Sequence, residues 1–354
     1  DAEATEGVRP RVCFCGWSPA GPQIAVRMGS QGLARFSGLQ NCASIWLCPV
    51  CSARIRAVRA QDIEKAATTY TERGGHLLFL TLTVRHNSSH SLSTLMEAVA
   101  TSWSKMISSS WWTGDKKRTG IKELYGIEGY VRALEVTCGP TNGWHAHVHA
   151  LLFVASPLTT EGLESLGDDI WEKWADKAVK AGADAPSRER GVNVQPVTQD
   201  GTILARYLSK VSADVGVGFE MARSDVKKGR KWRHYTPWEL AEAAIVEDDA
   251  WARDRFVEYA KATFGRRCIT WSQGLRAELG LCAEKTDAEI IAGEEAREDA
   301  IGEPVLLMSA DEWRAVRKVV NARELILEYV EQGSYTSAGR LVDCAYSLWG
   351  EASP

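Results

Sequence analysis

The sequence has 354 residues, 42 Lys and Arg against 46 Asp and Glu, a net charge of −4, and 45% hydrophobic side chains. That composition excludes a disordered or collagen-like chain, and the length suggests two or three folded units. Apolar runs such as Leu77 to Leu80 and Ala150 to Ala155 are far short of the roughly 20 residues of a membrane helix, and the polar N-terminus lacks a secretory pattern, so a cytosolic protein with no membrane partner is expected.

The excess acid is confined to one end. Residues 281–354 hold 15 acidic and 7 basic side chains, which leaves 31 acidic and 35 basic in residues 1–280. Within that basic body, Arg54 and Arg56 belong to an arginine-rich start. Lys227, Lys228, Arg230, Lys231 and Arg233 fall in the run RSDVKKGRKWR, where Asp225 is the one acid. Clusters of this kind attract a polyanion locally, whatever the total charge.

Five of the nine cysteines (Cys13, Cys15, Cys42, Cys48, Cys51) lie in the first 51 residues. Cys48-Pro49-Val50-Cys51 is a C-x2-C knuckle, whose two thiolates can reach one Zn2+, and a closed tetrahedral site needs two more. Cys15, Cys42, Cys48 and Cys51 are the expected set. Cys15-Gly16 offers a turn, whereas Cys13 would point to the other side of a short extended segment; Cys13 is the alternative donor. A redox pair is disfavoured because no strand precedes the knuckle and a basic helix follows it.

Further along, Arg54 to Arg73 has helical spacing and stops at Gly74-Gly75. Leu77 to Val84 reads as a buried strand and Ser93 to Ser108 as a helix. Tyr130 to Thr137 and Trp144 to Val154 are two strands joined by Cys138 to Gly143, whose Gly, Pro and Asn-Gly signals predict an antiparallel hairpin. A helix over Thr160 to Ala181, a strand over Gly191 to Val197 and a helix over Thr202 to Ser212 follow. This order predicts an α+β fold, an antiparallel sheet with flanking helices. Thr236-Pro237-Trp238-Glu239 opens a helix running to Thr263, and capping boxes recur at Thr286 and at Ser309, the latter opening a helix that ends near Gly333. The acidic stretch Glu284 to Glu303 is the linker candidate. The expected division is a basic zinc module over 1–60, a main domain over 61–215, a basic linker with a helical extension over 216–283, and an acidic linker with a helical region over 284–354.

Three of the seven histidines, His145, His147 and His149, occur in WHAHVHALLF. On a strand they share one face, and buried imidazoles need polar partners, which a metal ion supplies. Glu135, on the partner strand, can lie across from them and add a hard oxygen donor. Such a mixed site with open positions suits Mg2+ or Mn2+ holding a phosphate oxygen. In ILARYLSKV, Tyr207 and Lys210 share a helical face. A tyrosine can attack a phosphodiester when a metal polarises the phosphate, and a nearby ammonium can stabilise the phenolate.

The set LLFLTLTV, ALEVT, GWHAHVHALLF and ARYLSK, preceded by CASIWLCPVCSARI and followed by FGRRCITWSQGLR, resembles the plasmid rolling-circle replication initiators of the HUH endonuclease superfamily, especially those of actinobacterial plasmids. The resemblance covers roughly residues 10–280. It implies His147 and His149 as the metal pair, Glu135 as third ligand, Tyr207 as nucleophile, His145 as accessory, and metal-dependent nicking of one strand at a replication origin. In some relatives a carboxylate four residues before the tyrosine, or a second tyrosine four after it, serves the terminating cleavage. Here those positions are Ile203 and Val211, so the agent of that step is open, with Asp200 and Asp214 nearby.

The expected substrate is hairpin or single-stranded origin DNA, with Trp111, Trp112 and Trp232 as candidate stacking surfaces. No G-x-x-x-x-G-K-[ST] loop occurs, so a host helicase is an expected partner beside a polymerase. Two alternatives stand beside this reading. One is a relaxase or single-strand transposase with the same chemistry. The other is a zinc-containing DNA-binding regulator without catalysis.

Overall fold

The computed structural model describes residues 9–29, 32–197 and 235–349. In chain order, β1 (Gln23–Met28) and β2 (Ala34–Ser37) come first. The first helix, α1 (Pro49–Glu72), starts at Pro49 rather than Arg54. Proline suits the first helical position, and the Ser52 N–H donates to the Cys48 carbonyl at 2.8 Å, so the knuckle itself opens the helix. Then come β3 (His76–Thr83), α2 (Leu92–Ile107), β4 (Ile127–Gly139), β5 (Gly143–Val154), α3 (Thr160–Lys180) and β6 (Val192–Pro196), close to expectation.

The single helix predicted over Thr236 to Thr263 is two, α4 (Pro237–Val246) and α5 (Ala250–Thr263). Asp248 takes a left-handed φ of 52° and Asp249 caps the second helix by accepting from the Ala252 N–H. Aspartate tolerates both roles. After β7 (Ile269–Trp271), the presumed acidic linker is largely a helix, α6 (Asp287–Ile301), which runs into β8 (Glu303–Ser309). The Ser309 capping box opens only α7 (Ala310–Val316). Asn321, at φ 60°, then breaks the predicted helix before α8 (Ala322–Glu331), and α9 (Tyr335–Trp349) ends the described chain.

The chain divides into two units, residues 56–284 and residues 1–55 together with 285–354. The cysteine-rich start and the acidic C-terminal region, expected as separate pieces, thus share one unit. In it β1 pairs with β2 on one side and β8 on the other, setting Ile24 opposite Met308 and Val26 opposite Leu306. Helices α7 to α9 close over this sheet around fully buried Trp313, which Phe36 meets edge-on at 4.7 Å. The acid of α6 meets arginines of the same unit: Asp299 pairs with Arg35 at 2.6 Å and Arg27 at 3.4 Å, and Glu298 with Arg54 at 3.1 Å. Regrouped this way, residues 56–284 carry 30 basic and 29 acidic side chains, and the other unit 12 and 17.

The unit 56–284 is built on a five-stranded antiparallel sheet in the order β6-β3-β5-β4-β7, an α+β fold with β5 at its centre. On one face of β5, Trp144, Val148 and Leu152 are buried, with α2 packed on the strand and Trp144 stacked on Tyr259 of α5 at 6.5 Å. Burying each large apolar side chain contributes about 1.5–3 kcal/mol, which fixes the register of the strand. The opposite face carries His145, His147, His149 and Phe153, with Tyr70 of α1 packed edge-on against Phe153 at 5.1 Å. No helix among the described residues is long and apolar enough to cross a membrane.

Candidate active site

The hairpin register sets Glu135 directly across from His147, and Ala133 across from His149. Directly opposed residues of an antiparallel pair share a face, so one carboxylate and two imidazoles converge. Glu135 Oε2 lies 2.8 Å from His149 Nε2 and 3.2 Å from His147 Nε2, and the two Nε2 atoms are 2.9 Å apart. Both histidines are buried, at 6% and 3% exposure. Burial pushes the Glu135 carboxyl up, but the two imidazoles outweigh it and hold the group well below the usual carboxylate range, so it is an anion.

A single proton satisfies one edge of this triangle, whereas a cation beside it satisfies all three. Adjacent ligands of an octahedral ion bound at about 2.1 Å stand about 3.0 Å apart, which the three edges match. The residues present therefore fit a divalent ion held on one face, with its remaining positions open. His149 is oriented from behind, because its Nδ1 lies 3.0 Å from Thr81 Oγ1 and Phe79 stacks on its ring at 5.1 Å. With Nδ1–H donating to the Thr81 hydroxyl oxygen, Nε2 turns its lone pair into the triangle. We expect Thr81→Val to weaken Mn2+ binding about 10- to 100-fold without altering the fold, as read by calorimetric titration. Unchanged affinity would remove Thr81 from this role.

Cys15, Cys42, Cys48 and Cys51 form a second cluster. Cys15 Sγ is 3.5 Å from both Cys48 Sγ and Cys51 Sγ, and Cys42 Sγ is 3.8 Å from Cys51 Sγ. Four sulfurs bound at about 2.3 Å around a tetrahedral ion stand about 3.8 Å apart, so this set also fits a metal. Gly16 makes the turn possible with φ 63° and donates its N–H to the Gln40 carbonyl at 2.8 Å. The Cys51 N–H, at the start of α1, donates to Cys48 Sγ, and the Cys42 N–H to Cys15 Sγ. Hydrogen bonds from the neighbouring thiols, that of Cys42 foremost, pull the Cys15 thiol down. Cys13, on a 3-10 turn over Arg11–Phe14 rather than an extended segment, is exposed and outside the cluster.

Other expected site residues fare differently. His145 is one step along the face, its ring stacked on His147 at 4.6 Å. Arg56 is buried at 3% exposure, leaving no face for a phosphate, and Arg54 is engaged by Glu298. Trp112 is 2% exposed and packs against Tyr130, so it is core rather than a stacking platform. Tyr207, Lys210, Lys227, Lys228, Arg230, Lys231 and Arg233, with Asp200, Asp214 and Trp232, lie outside the described residues. Sequence reasoning missed Thr81 and Phe79. Their signal was the alternation of LLFLTLTV, which puts Thr81 and Thr83 opposite His149 and His147.

The family model described as "Replication protein" matches residues 35–315, and the chain belongs to that family. It is 31% identical over 319 residues to "Protein rep" of Streptomyces lividans, an alignment covering 75% of this chain and 69% of the relative. A 178-residue stretch is 32% identical to a Streptomyces cyanogenus protein named "Neomycin resistance protein", covering 43% and 40%. A 138-residue stretch is 32% identical to "Protein rep" of Lactiplantibacillus plantarum, covering 38% and 40%. No solved structure matches the chain.

Proposed function

We propose that this replication protein initiates rolling-circle replication of a plasmid by nicking one strand at the origin through a covalent tyrosine intermediate. The observation that carries the reading is the Glu135, His147 and His149 triangle on the central hairpin, within a chain of the replication protein family. Glu135, His147 and His149 would hold a Mg2+ or Mn2+ ion, which would supply polarisation of a phosphate oxygen and so a lower cost of attack. Glu135 and the two histidines orient that phosphate on the sheet, and burial of the imidazoles excludes competing water.

The Tyr207 oxygen attacks phosphorus in line, and its phenolic proton passes through solvent to the departing 3′ oxygen. The bond to the 3′ oxygen breaks, and that oxygen leaves as the hydroxyl that primes a host polymerase. Lys210, three residues further along the sequence, would stabilise the phenolate. The 5′-phosphotyrosine link conserves the phosphodiester for later rejoining, so no nucleotide cofactor is needed. The four-cysteine cluster holds a structural Zn2+.

The test is incubation with 3′-labelled single-stranded origin DNA and Mn2+. Wild type is expected to carry label on denaturing gels and Tyr207→Phe none. An adduct of equal yield from Tyr207→Phe would sink the assignment of the nucleophile. No adduct from wild type would favour a regulator without catalysis.

A further inference from the structure

Beside the triangle, the same end of the sheet opens into a cleft of about 770 Å³, inside the range of about 300–1,000 Å³ typical of small-ligand sites. Its walls come from the chain just after β3 (Arg85, His86), the β4–β5 turn and the start of β5 (Asn142, His145), and the segment before β6 (Glu189, Arg190). The cleft and the triangle are joined by aromatic rings. His86 stacks on His145 at 4.9 Å with 29° between planes, and His145 on His147 at 4.6 Å with 28°. A column of three imidazoles therefore runs from the cleft to a ligand atom of the triangle. His86 is further fixed by an Nδ1 contact with the Asn142 carbonyl at 3.2 Å.

The charges point to the occupant. Among the described residues, Arg85 and Arg190 are exposed and form no ion pair, and Glu189 is the one carboxylate on the wall. Two free guanidiniums suit two phosphates. A ring surface between them and the triangle suits an unpaired base, since a base stacked in a duplex has no open face. We propose that this cleft binds the nucleotides of single-stranded DNA that flank the scissile phosphate, with Arg85 and Arg190 on phosphates and His86 stacking a base. The proposal rests on the nicking reading, because it takes the reacting phosphate to lie at the triangle.

Binding is measured by fluorescence anisotropy of fluorescein-labelled dT15 with the full chain, over a salt series. The Arg85→Ala/Arg190→Ala double variant is expected to bind more weakly and to lose about 1.4 from the slope of log affinity against log salt, since each single-strand phosphate contact contributes about 0.7. His86→Ala is expected to lose roughly 5- to 100-fold in affinity with the slope unchanged, the signature of a lost stack. Arg253→Ala, which removes an exposed arginine on α5, is expected to change neither. Arginines on the surface are dispensable for folding, and His86→Gln, which keeps the polar contact and removes the ring, guards against a folding effect at His86.

A wild-type slope in the double variant, or equal competition by inorganic phosphate at matched phosphate concentration, would overturn the cleft as a strand-binding site. Adduct formation is assayed in the same preparations. A wild-type adduct with unaltered binding by the variants defeats the cleft alone. Absence of adduct from wild type, with the expected changes in binding, defeats the nicking chemistry and leaves the cleft in place.

Discussion

Chelation of the Zn2+ proposed for the Cys15, Cys42, Cys48 and Cys51 cluster is expected to destabilise the unit formed by residues 1–55 and 285–354. Metal held by four thiolates contributes about 10–16 kcal/mol of apparent binding energy in small zinc domains, as much as or more than the roughly 5–15 kcal/mol net stability of a typical domain. Apart from the cluster, the segment carrying Cys15 is tied down through Trp17, whose carbonyl accepts from Trp313 Nε1 at 2.8 Å and from Arg317 Nη1 at 3.0 Å. Between Pro10 and Gln23 the backbone offers one 3-10 turn and a few irregular hydrogen bonds, and Cys42 sits on a loop. Cys48→Ser should therefore lose bound metal and lower the thermal transition of this unit by more than 10 °C in calorimetry. Cys13→Ser should retain both metal and transition, because Cys13 is exposed outside the cluster. A transition unmoved by Cys48→Ser would show that the sheet and helices hold the unit without the cluster.

How much of this was legible in the sequence depended on the range of the interaction. Glu135 opposite His147 follows from strand alternation on either side of a Gly-, Pro- and Asn-bearing turn, a local pattern whose register one buried face enforces. The thiol set was readable for the same reason, since two donors share one knuckle and Gly16 marks a turn. The pairing of β1 with β8 was not, because nothing in QIAVRM indicates that its partner is EPVLLMS near the other end. The acidic stretch read as a linker because its charges had no visible counterpart. Arg27, Arg35 and Arg54, far away in sequence, are those counterparts, and Ile290 and Ile291 anchor the helix. Helix ends proved least legible where one residue decided them, as with Asp248 and Asn321 in left-handed conformation. Trp112 illustrates the default fate of a large ring beside basic residues, which is burial.

At the proposed nicking site, Glu135→Gln is expected to reduce adduct formation about 100- to 10,000-fold. The substitution keeps volume and one carbonyl oxygen but removes the charge, which is where a cation held by two neutral imidazoles gains most of its attraction. Polarisation of the phosphate by the ion is worth several kcal/mol of the barrier, and each 1.4 kcal/mol is tenfold in rate. His147→Ala and His149→Ala are expected to fall in the same range. The Glu135→Gln/His147→Ala double variant should be little worse than either single one, because ligands of one ion act as a unit. Partial rescue of Glu135→Gln by excess Mn2+ is the result that separates a ligand from a structural residue. The fold itself should survive, since the β5 core on the opposite face, Trp144, Val148 and Leu152, is untouched. Additive losses in the double variant, with no response to Mn2+, would mean that the triangle acts through packing rather than through a shared ion.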